Sequence, residues 1–357
     1  MHRTCIPRMS AGSTDQASPG LSVLLSVYNG EKYLREALDT LLAQTFGDFE
    51  LVAVDDASTD ATPAILREYA DEDPRIRIIT NAKNLGLVNA LNVGLAECRA
   101  PLVARADADD IYHPERLAKQ VAFMEQHEDV GVLSCWFRRV SEDGTMRRVA
   151  RPPTEDHFIR IRQLFMSSIL HPGVMFRTDV VRSVGGYDAD YRDVEDSDLW
   201  ARLRPHTRFA VLPKILVDYR VHSSSIMQTR DEAARRRSIS VNQRLISEYL
   251  GRDVDFEQAA AAVPLFQGFT MVDAEKVPAG LELLSEVVDR ARRIEEESTV
   301  HYLMTELAAA LEKQAHRYRR KNPRLMASLL WHAMRMSPAP LSRGALGIGA
   351  RVLVGRA

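Results

Sequence analysis

The chain contains 357 residues, of which 45% are hydrophobic and 27% are charged, a composition typical of globular rather than disordered proteins. At about 100–200 residues per domain, this length predicts two domains, or one large domain with an appendage. The sequence has no apolar run long enough to span a membrane, and its polar N-terminus lacks the apolar core of a secretory signal. The three scattered cysteines, Cys5, Cys98 and Cys135, indicate a reducing compartment and neither a disulfide framework nor a clustered metal site.

The formal net charge is −2, from 47 basic and 49 acidic residues, which argues against a dedicated nucleic-acid-binding protein. The charges are unevenly distributed, because the chain after Glu312 contains ten basic residues and no acidic one. An asymmetry of this size indicates an anionic partner for the tail.

In chain order, residues 1–20 form a polar lead-in, and short apolar runs then alternate with segments of helical periodicity. Leu21–Val27 is a continuous apolar run, typical of a strand that is buried on both faces. The same criteria predict further strands at 49–54, 75–80 and 102–105. Apolar spacing and helix-start signals predict helices at 31–44, from Thr62 onward, at 87–96 and at 114–126. This alternation predicts an α/β fold with a mainly parallel sheet and helices on both faces.

Beyond residue 130 the alternation becomes less regular. Strands are predicted at 132–140, 174–176 and 209–212, and a basic loop interrupted by prolines is predicted at 147–153. From about Arg230 the sequence is mostly helical. We therefore expect an α/β domain at 21–228 and a helical C-terminal region at 229–357 that carries the basic tail.

Polar side chains follow three of the predicted strands. Ser26 and Tyr28 end the first strand, Asp55 and Asp56 end the second, and the acidic segment 107–110 follows the fourth. Because ligands of parallel sheets bind at the carboxyl ends of the strands, these groups are expected to share one edge.

Asp107, Asp109 and Asp110 place three carboxylates within four residues. Such hard oxygen ligands suit Mg²⁺ or Mn²⁺, which bind one or two protein carboxylates together with substrate phosphate oxygens. The alternative is a solvated acidic turn before the next helix. Asp55 and Asp56 present a similar choice, between a turn that precedes a helix and hydrogen bonds to a base or a ribose hydroxyl.

Two known phosphate-binding motifs are missing from the sequence. No G-x-G-x-x-G follows a predicted strand, and no G-x-x-x-x-G-K-[ST] loop occurs, so a dinucleotide site is not expected. Asp196 lies in the first turn of a predicted helix, where acids are favoured by the helix dipole and where a general base could also lie. His222 is either a structural histidine or a contact to a metal or a diphosphate.

Taken together, four segments resemble family 2 glycosyltransferases over residues 21–227, in that family's order and spacing. They read SVLLSVYNGEKYLREAL…VDDASTDAT, NLGLVNALNVGL…ARADADD, HPGVMF…GGYD…EDSDLWARL and YRVHSSSIM. The resemblance implies the glycosyltransferase A fold, which is Rossmann-like, with a nucleotide-diphospho-sugar donor, a divalent metal and inversion at the anomeric carbon. It does not extend to the helical C-terminal region.

The resemblance also implies roles for individual residues. Asp196 corresponds to the catalytic base, and Asp107 meets the ribose and the metal. The remaining assignments fall into two sets: base or ribose contacts at Ser26, Tyr28, Asp55 and Asp56, and metal or diphosphate contacts at Asp109, Asp110 and His222.

Competing hypotheses are a sugar-1-phosphate nucleotidyltransferase, an aspartyl phosphatase and a non-catalytic nucleotide-sugar-binding module. The first requires a glycine-rich basic loop after strand one, whereas the loop at 27–31 is short and not basic. The second usually has its nucleophile after the first strand, not the fourth.

The expected acceptor is a saccharide or a lipid-linked sugar in cell-surface polysaccharide or glycolipid synthesis. The tail predicts one basic amphipathic helix at 324–336 and another at 342–354, which either pack against the protein or contact an anionic membrane. We therefore expect a cytoplasmic enzyme, peripheral at the inner face of the membrane.

Overall fold

The computed structural model of the protein describes residues 19–142, 147–222, 231–268 and 270–336. The strands in these residues are β1 (Leu21–Val27), β2 (Phe49–Asp55), β3 (Ile76–Thr80), β4 (Leu102–Asp107), β5 (Ile111–Tyr112), β6 (Val130–Ser141), β7 (Arg147–Ala150), β8 (Met175–Arg177) and β9 (Arg208–Val221). They form one sheet in the order β3-β2-β1-β4-β8-β6-β9-β5, with β7 paired to β6.

Helices flank the sheet and then form a separate helical region. Those within the sheet region are α1 (Leu34–Leu42), α2 (Thr62–Glu72), α3 (Leu87–Glu97), α4 (Arg116–Gln126), α5 (Asp156–Gln163), α6 (Thr178–Ser183) and α7 (Glu195–Leu203). The later ones are α8 (Glu232–Leu250), α9 (Phe256–Gln267), α10 (Val277–Ile294), α11 (Glu297–Tyr318) and α12 (Pro323–Met336).

The central strands are buried on both faces because their sequences are almost wholly apolar. Every residue of β1 and β2 is buried. Leu25 on one face of β1 belongs to the same core as residues of α1, α2 and α4, and Leu24 on the other face belongs with α3, α6 and α7. The predicted α/β fold with helices on both faces is therefore confirmed.

The parallel register brings the polar strand ends to one edge, as the sequence predicted. Ser26 of β1 pairs with Asp107 of β4, and Val27 pairs with Asp55 of β2. The polar groups that follow these strands therefore lie next to one another.

Two local predictions in the second half of the sheet were wrong. The strand predicted at 209–212 extends over 14 residues as β9, because Pro213 and Lys214 form an irregularity and pairing with β6 resumes at Ile215. The loop predicted at 147–153 begins as β7, which pairs antiparallel with β6.

The helical region shares a buried core with the sheet region. Phe165, which follows α5, stacks on Phe266 of α9 with ring centroids 4.5 Å apart, and Ala201 of α7 belongs to the same core. The predicted boundary at 228–231 falls mostly on residues outside the described part of the chain. Most of the predicted lead-in at 1–20 and the helix predicted at 342–354 also lie outside it.

The basic helix predicted at 324–336 is present as α12. It buries Leu329 and Leu330 and leaves Trp331 and Met334 exposed, as expected for an amphipathic helix. Across the described residues, no helix combines the length and the apolar character that crossing a bilayer requires.

Candidate functional site

A cleft of about 1160 Å³ lies between the edge of the sheet and the helical region. Its sheet side includes Arg105 and Asp107 of β4 and Tyr219 of β9, and its helical side includes Asn242 of α8 and Gln267 of α9. Asp196, at the start of α7, also lines the cleft. A volume of this order can hold a ligand larger than a typical drug-sized molecule.

The acidic segment forms one compact group of carboxylates. Asp107, Asp109 and Asp110 each offer an oxygen, and these oxygens lie within 4.8 Å of one another. Asp110 is buried, and its Oδ1 accepts a hydrogen bond from the backbone N–H of Arg220 at 2.8 Å. Its Oδ2 is buried and has no hydrogen-bond partner among the described residues.

His222 joins this group from the end of β9. Its Nε2 lies 2.8 Å from Oδ2 of Asp109. Arg220 donates from Nε to the backbone oxygen of Asp109 at 2.8 Å, which fixes the loop after β4 against β9. The structure therefore brings together the four residues Asp107, Asp109, Asp110 and His222.

The electrostatics of this group are unfavourable without a counterion. Burial raises the pKa of Asp110 well above its ordinary value, and the Asp107 and Asp109 carboxylates raise it further. Burial also raises the pKa of Asp107, although the ion pair with Arg105 opposes that effect. Three carboxylates with excess negative charge and a buried Asp110 oxygen that has no hydrogen-bond partner in the described chain fit a hard divalent cation such as Mg²⁺ or Mn²⁺, and His222 adds one nitrogen donor.

The residues predicted to contact the base lie in two loops that are hydrogen-bonded to each other. The backbone N–H of Asn29 donates to Ser58 Oγ at 3.0 Å, and that of Thr59 donates to Asn29 Oδ1 at 2.8 Å. Asn29 and Ala57 have φ values of 51° and 60°, a left-handed conformation that is uncommon outside glycine. Backbone strain of this kind clusters at functional sites.

The side chains of these two loops differ in accessibility. Ser26 and Asp55 are buried, and Asp55 Oδ1 accepts a hydrogen bond from the backbone N–H of Ser58 at 3.0 Å. Tyr28 is 50% exposed, so its ring face is available to a ligand.

Asp56 is buried and is held by the segment between β3 and α3. Its carboxylate accepts hydrogen bonds from Asn81 Nδ2 at 2.7 Å and from the backbone N–H groups of Leu85 and Gly86 at 2.9 and 2.8 Å. In this arrangement Asp56 orders the loop that leads into α3.

Asp196 lies in the first turn of α7. Its Oδ1 accepts hydrogen bonds from the backbone N–H of Ser197 at 2.6 Å and from Ser197 Oγ at 3.2 Å. The nearby Asp193 has a left-handed φ of 68°. Asp196 is half-buried and faces the same cleft as Asp107, so it can meet a ligand bound there.

Comparison with known proteins identifies the family. A sequence model described as Glycosyl transferase family 2 matches residues 22–185. The chain is 31% identical over 214 residues to the O-antigen biosynthesis glycosyltransferase WbnJ of Escherichia coli, covering 58% of this chain and 82% of WbnJ. It is 35% identical over 213 residues to the amylovoran biosynthesis glycosyltransferase AmsE of Erwinia amylovora, covering 58% of this chain and 79% of AmsE. The chain belongs to glycosyl transferase family 2.

Solved structures are similar to this family 2 glycosyltransferase over nearly its whole length. S. aureus TarS 1-349 in complex with UDP-GlcNAc has a TM-score of 0.56 at 21% identity, covering 89% of this chain and 92% of TarS. The mannosyltransferase PcManGT from Pyrobaculum calidifontis, in complex with GDP-Man and Mn²⁺, has a TM-score of 0.53 at 18% identity, covering 90% of this chain and 86% of PcManGT. This likeness confirms the predicted glycosyltransferase A fold.

The glycosyltransferase site also contains residues that the sequence analysis did not single out. Arg105 is fully buried in β4 and forms an ion pair with Asp107, while its Nε and Nη1 have no hydrogen-bond partner in the described chain. The backbone oxygen of Arg105 accepts from Arg116 Nη2 at 2.7 Å. The signal available in the sequence was a single charged residue within the otherwise apolar strand before the acidic segment.

A buried histidine lies on the other side of Arg105. His171 Nε2 is 2.9 Å from the hydroxyl of Tyr187, and its Nδ1 is 3.8 Å from Glu195 Oε1. Burial lowers the pKa of His171 well below its ordinary value, and the positive charge of Arg105 acts in the same direction. His171 is therefore a neutral hydrogen-bonding group beneath the start of α7.

Proposed function

We propose that this glycosyltransferase transfers a sugar from a nucleotide-diphospho-sugar to an acceptor hydroxyl, with dependence on a divalent metal and inversion at the anomeric carbon. The observation that carries the proposal is that Asp196 faces the same cleft as Asp107, whose carboxylate is grouped with those of Asp109 and Asp110. The ligands named for TarS and PcManGT, UDP-GlcNAc and GDP-Man with Mn²⁺, support a nucleotide-sugar donor and a metal. The names of WbnJ and AmsE support a role in cell-surface polysaccharide synthesis.

The donor would lie across the edge of the sheet. Tyr28 offers an exposed ring face to the base, with Ser26 beside it. Asp55 and Asp56 support the loops around the base and the ribose, the role that their hydrogen bonds to Ser58 and to the segment before α3 favour.

The diphosphate would lie against the carboxylates of Asp107, Asp109 and Asp110, which we call the acidic group. Asp109, Asp110 and His222 are the proposed metal ligands, and Asp107, fixed by Arg105, would meet the ribose and the metal. A divalent cation held there would neutralise the negative charge of the diphosphate leaving group.

Asp196 would remove the proton of the acceptor hydroxyl. Its Oδ1 accepts the hydrogen bonds of Ser197, which fix the orientation of the carboxylate and leave Oδ2 for the acceptor. The hydroxyl oxygen then attacks the anomeric carbon from the face opposite the diphosphate. A single displacement with one base inverts the configuration at that carbon.

The test is Asp196→Asn, assayed with a panel of nucleotide sugars and acceptors by release of the nucleoside diphosphate. We expect kcat to fall by about 10²–10⁴-fold, as for loss of a general base, while donor affinity changes by less than about twofold. EDTA should abolish wild-type turnover, and Mn²⁺ or Mg²⁺ should restore it.

Asp190→Asn is the matched control, because Asp190 is an exposed carboxylate in the turn before α7. Full activity of Asp196→Asn, or turnover that EDTA does not affect, would contradict the proposed mechanism. Release of pyrophosphate from a nucleoside triphosphate and a sugar 1-phosphate would instead identify a nucleotidyltransferase, and binding without turnover would identify a non-catalytic module.

We also propose that α12 contacts the cytoplasmic face of an anionic membrane. Trp331 and Met334 are 47% and 40% exposed, and the guanidinium of Arg335 lies 4.7 Å from the centroid of the Trp331 ring. An exposed aromatic residue beside basic ones is typical of helices that lie in the headgroup region. The acid-free sequence after Glu312 adds attraction to anionic lipid.

Co-sedimentation with vesicles tests this contact. We expect binding to anionic vesicles that weakens with salt, little binding to neutral vesicles, and a loss of at least about tenfold in Trp331→Ser, since burial of one aromatic side chain contributes about 1.5–3 kcal/mol. Ile294→Ser is the control, because Ile294 is 48% exposed but lies on α10. Equal binding of the two variants, or no binding of the wild type at low salt, would refute the proposal.

A further inference from the structure

We propose that the hairpin of β6 and β7, through Arg139, Arg148 and Arg151, binds a phosphate group carried by the acceptor substrate. We call these three residues the arginine group. The inference rests on the proposed glycosyl transfer, because it concerns the second substrate of that reaction.

Two members of the arginine group line the same cleft as Asp107, and the third, Arg148, pairs with one of them across the hairpin. Arg139 and Arg151 line the cleft, and Arg139 of β6 pairs in register with Tyr219 of β9, which also lines it. Burial raises the pKa of Tyr219, and the nearby carboxylates of Asp107 and Asp110 raise it further. Tyr219 is therefore the strand neighbour of Arg139 and is close enough to the carboxylates of Asp107 and Asp110 to feel their charge.

The hairpin places two of these cations directly opposite each other. Arg139 of β6 is the cross-strand partner of Arg148 of β7, so both side chains project from the same face of the sheet. Like charges in this position destabilise a sheet, and an anion bound between them would remove the repulsion.

No carboxylate in the described residues neutralises the arginine group. Neighbouring arginines differ in this respect, because Arg138 forms an ion pair with Asp218 and Arg220 forms one with Glu36. The three residues of the group make no ion pair or side-chain hydrogen bond within the described chain, and all three are exposed. The hydrogen-bond donors of Arg139 and Arg151 are therefore available to a ligand in the cleft, and those of Arg148 are exposed on the neighbouring strand.

Aromatic rings of β6 lie beside two of the three guanidinium groups. Arg151 lies 5.6 Å from the ring centroid of Trp136, and Arg139 lies 5.9 Å from that of Phe137. Trp136 is itself fixed by a hydrogen bond from Nε1 to the backbone oxygen of Pro152 at 3.1 Å. Stacking of this kind orients an arginine while its N–H groups remain available for bonding.

The charge and geometry favour phosphate as the ligand. Guanidinium groups match the oxygens of a phosphate with paired hydrogen bonds, and three of them suit a diphosphate better than a single carboxylate. The donor diphosphate is assigned to the carboxylates of Asp107, Asp109 and Asp110. The arginine group is then left for a phosphate of the acceptor, either a diphosphate that joins the sugar to a lipid or a phosphodiester of a polymer.

The test measures binding of decyl diphosphate to the protein saturated with Mn²⁺ and a nucleoside diphosphate, which occupy the donor site. We expect decyl diphosphate to bind much more tightly than decyl glucoside. The Arg139→Gln/Arg151→Gln variant should lose about 10–100-fold in affinity for decyl diphosphate, the effect of removing charge-assisted hydrogen bonds. Glycerophosphoglycerol, a phosphodiester, is the second probe, and binding as tight as that of decyl diphosphate would identify the phosphodiester source.

Arg147→Gln is the matched control. Arg147 belongs to the same strand and is exposed, but it pairs with Val140 and so projects from the opposite face to Arg148. The affinity of Arg147→Gln for decyl diphosphate should stay within about twofold of the wild type, because Arg147 contributes no phosphate contact.

Three results would overturn the inference: equal binding of decyl glucoside and decyl diphosphate, an equal loss in Arg147→Gln, or a weaker affinity of Arg139→Gln/Arg151→Gln for the nucleoside diphosphate itself. The last would assign the arginine group to the donor. Failure of the proposed function is distinguishable, since it would appear as absent nucleotide-sugar turnover in the wild type.

Discussion

Asp110 is a buried carboxylate with one oxygen that has no hydrogen-bond partner in the described chain. Because its pKa is raised in the folded protein, its ionisation above the ordinary pKa of an aspartate costs folding free energy. A cation bound to the ionised form would offset that cost. The residue is therefore expected to reduce stability without metal and to contribute to stability with it.

We predict that Asp110→Asn raises the Tm of the metal-free protein by about 1–3 °C at pH 7.5, since it removes a buried charge. The Asn Oδ1 can keep the hydrogen bond from the backbone N–H of Arg220. The variant should also lose most of the increase in Tm that Mn²⁺ gives the wild type. Thermal denaturation with and without Mn²⁺ measures both effects.

Asp71→Asn is the control for this pair of measurements, since Asp71 is an exposed carboxylate on α2. Its response to Mn²⁺ should equal that of the wild type. A wild-type response to Mn²⁺ in Asp110→Asn would exclude Asp110 as a metal ligand.

Among the individual site residues, the sequence predicted those that belong to one short motif. Asp107, Asp109 and Asp110 are adjacent in the chain, so their proximity follows from a few residues alone. Arg105 and His171 are single residues whose significance depends on strands and helices distant in sequence. Their burial, the lack of hydrogen-bond partners for Nε and Nη1 of Arg105 in the described chain, and the neutral state of His171 are properties of packing, which the chain order does not display.

Among the elements, the short turn His171–Gly173 lies beneath the start of α7 and contributes a buried histidine. His171 faces Tyr187 and Glu195, with Arg105 contributing a positive charge. Because its pKa is lower in the folded than in the unfolded protein, protonation favours unfolding. Stability is then fully present above the unfolded pKa of about 6.5 and is lost as the pH falls below it.

We predict that the free energy of unfolding of the wild type falls below pH 6.5 with a contribution from His171 of up to about 1.4 kcal/mol per pH unit. His171→Gln should show a flatter dependence between pH 5 and 7, because glutamine does not titrate there. Urea denaturation across this range measures the difference. The exposed His206 gives the control, His206→Gln, which should retain the wild-type slope, and an unchanged slope in His171→Gln would contradict the prediction.

The sequence located the parallel strands β1 to β4 well, because strands buried on both faces read as continuous apolar runs. It underestimated β9, where Pro213 and Lys214 interrupt the apolar pattern at an irregularity in the pairing. It also missed β7, whose basic sequence forms a strand only because β6 pairs with it. Strand formation in this half of the sheet is decided by tertiary pairing.

For the whole molecule, the shared core joins the sheet region to the helical region. Phe165 and Phe266 stack across this junction and are both buried. The resemblance described for residues 21–227 gave no account of the helical region, so this junction could not be predicted from the sequence. Its apolar character implies that the two regions stabilise each other.

We predict that Phe266→Ala lowers the free energy of unfolding by about 3–5 kcal/mol, the usual cost of removing a buried aromatic side chain. Both regions should unfold in one transition, at the same lowered denaturant concentration. Hydrogen exchange of β1 and α11 at increasing urea measures each region separately. The control is Phe123→Ala, at a half-buried position on α4, which should lower the free energy of unfolding by less. A loss of protection from exchange that is confined to α11 would show that the two regions are independent.

The pairing of β6 with β9 has a consequence for the order of folding. These parallel strands join Val132 to Phe209, so α5, β8, α6 and α7 must all be accommodated in the crossover before the pairing is complete. Contacts between residues so distant in sequence form slowly, because closing a long segment costs chain entropy. Arg220 and His222 reach the carboxylates only with β9. During synthesis, the nascent chain therefore completes its proposed cation site only after residue 222 has left the ribosome.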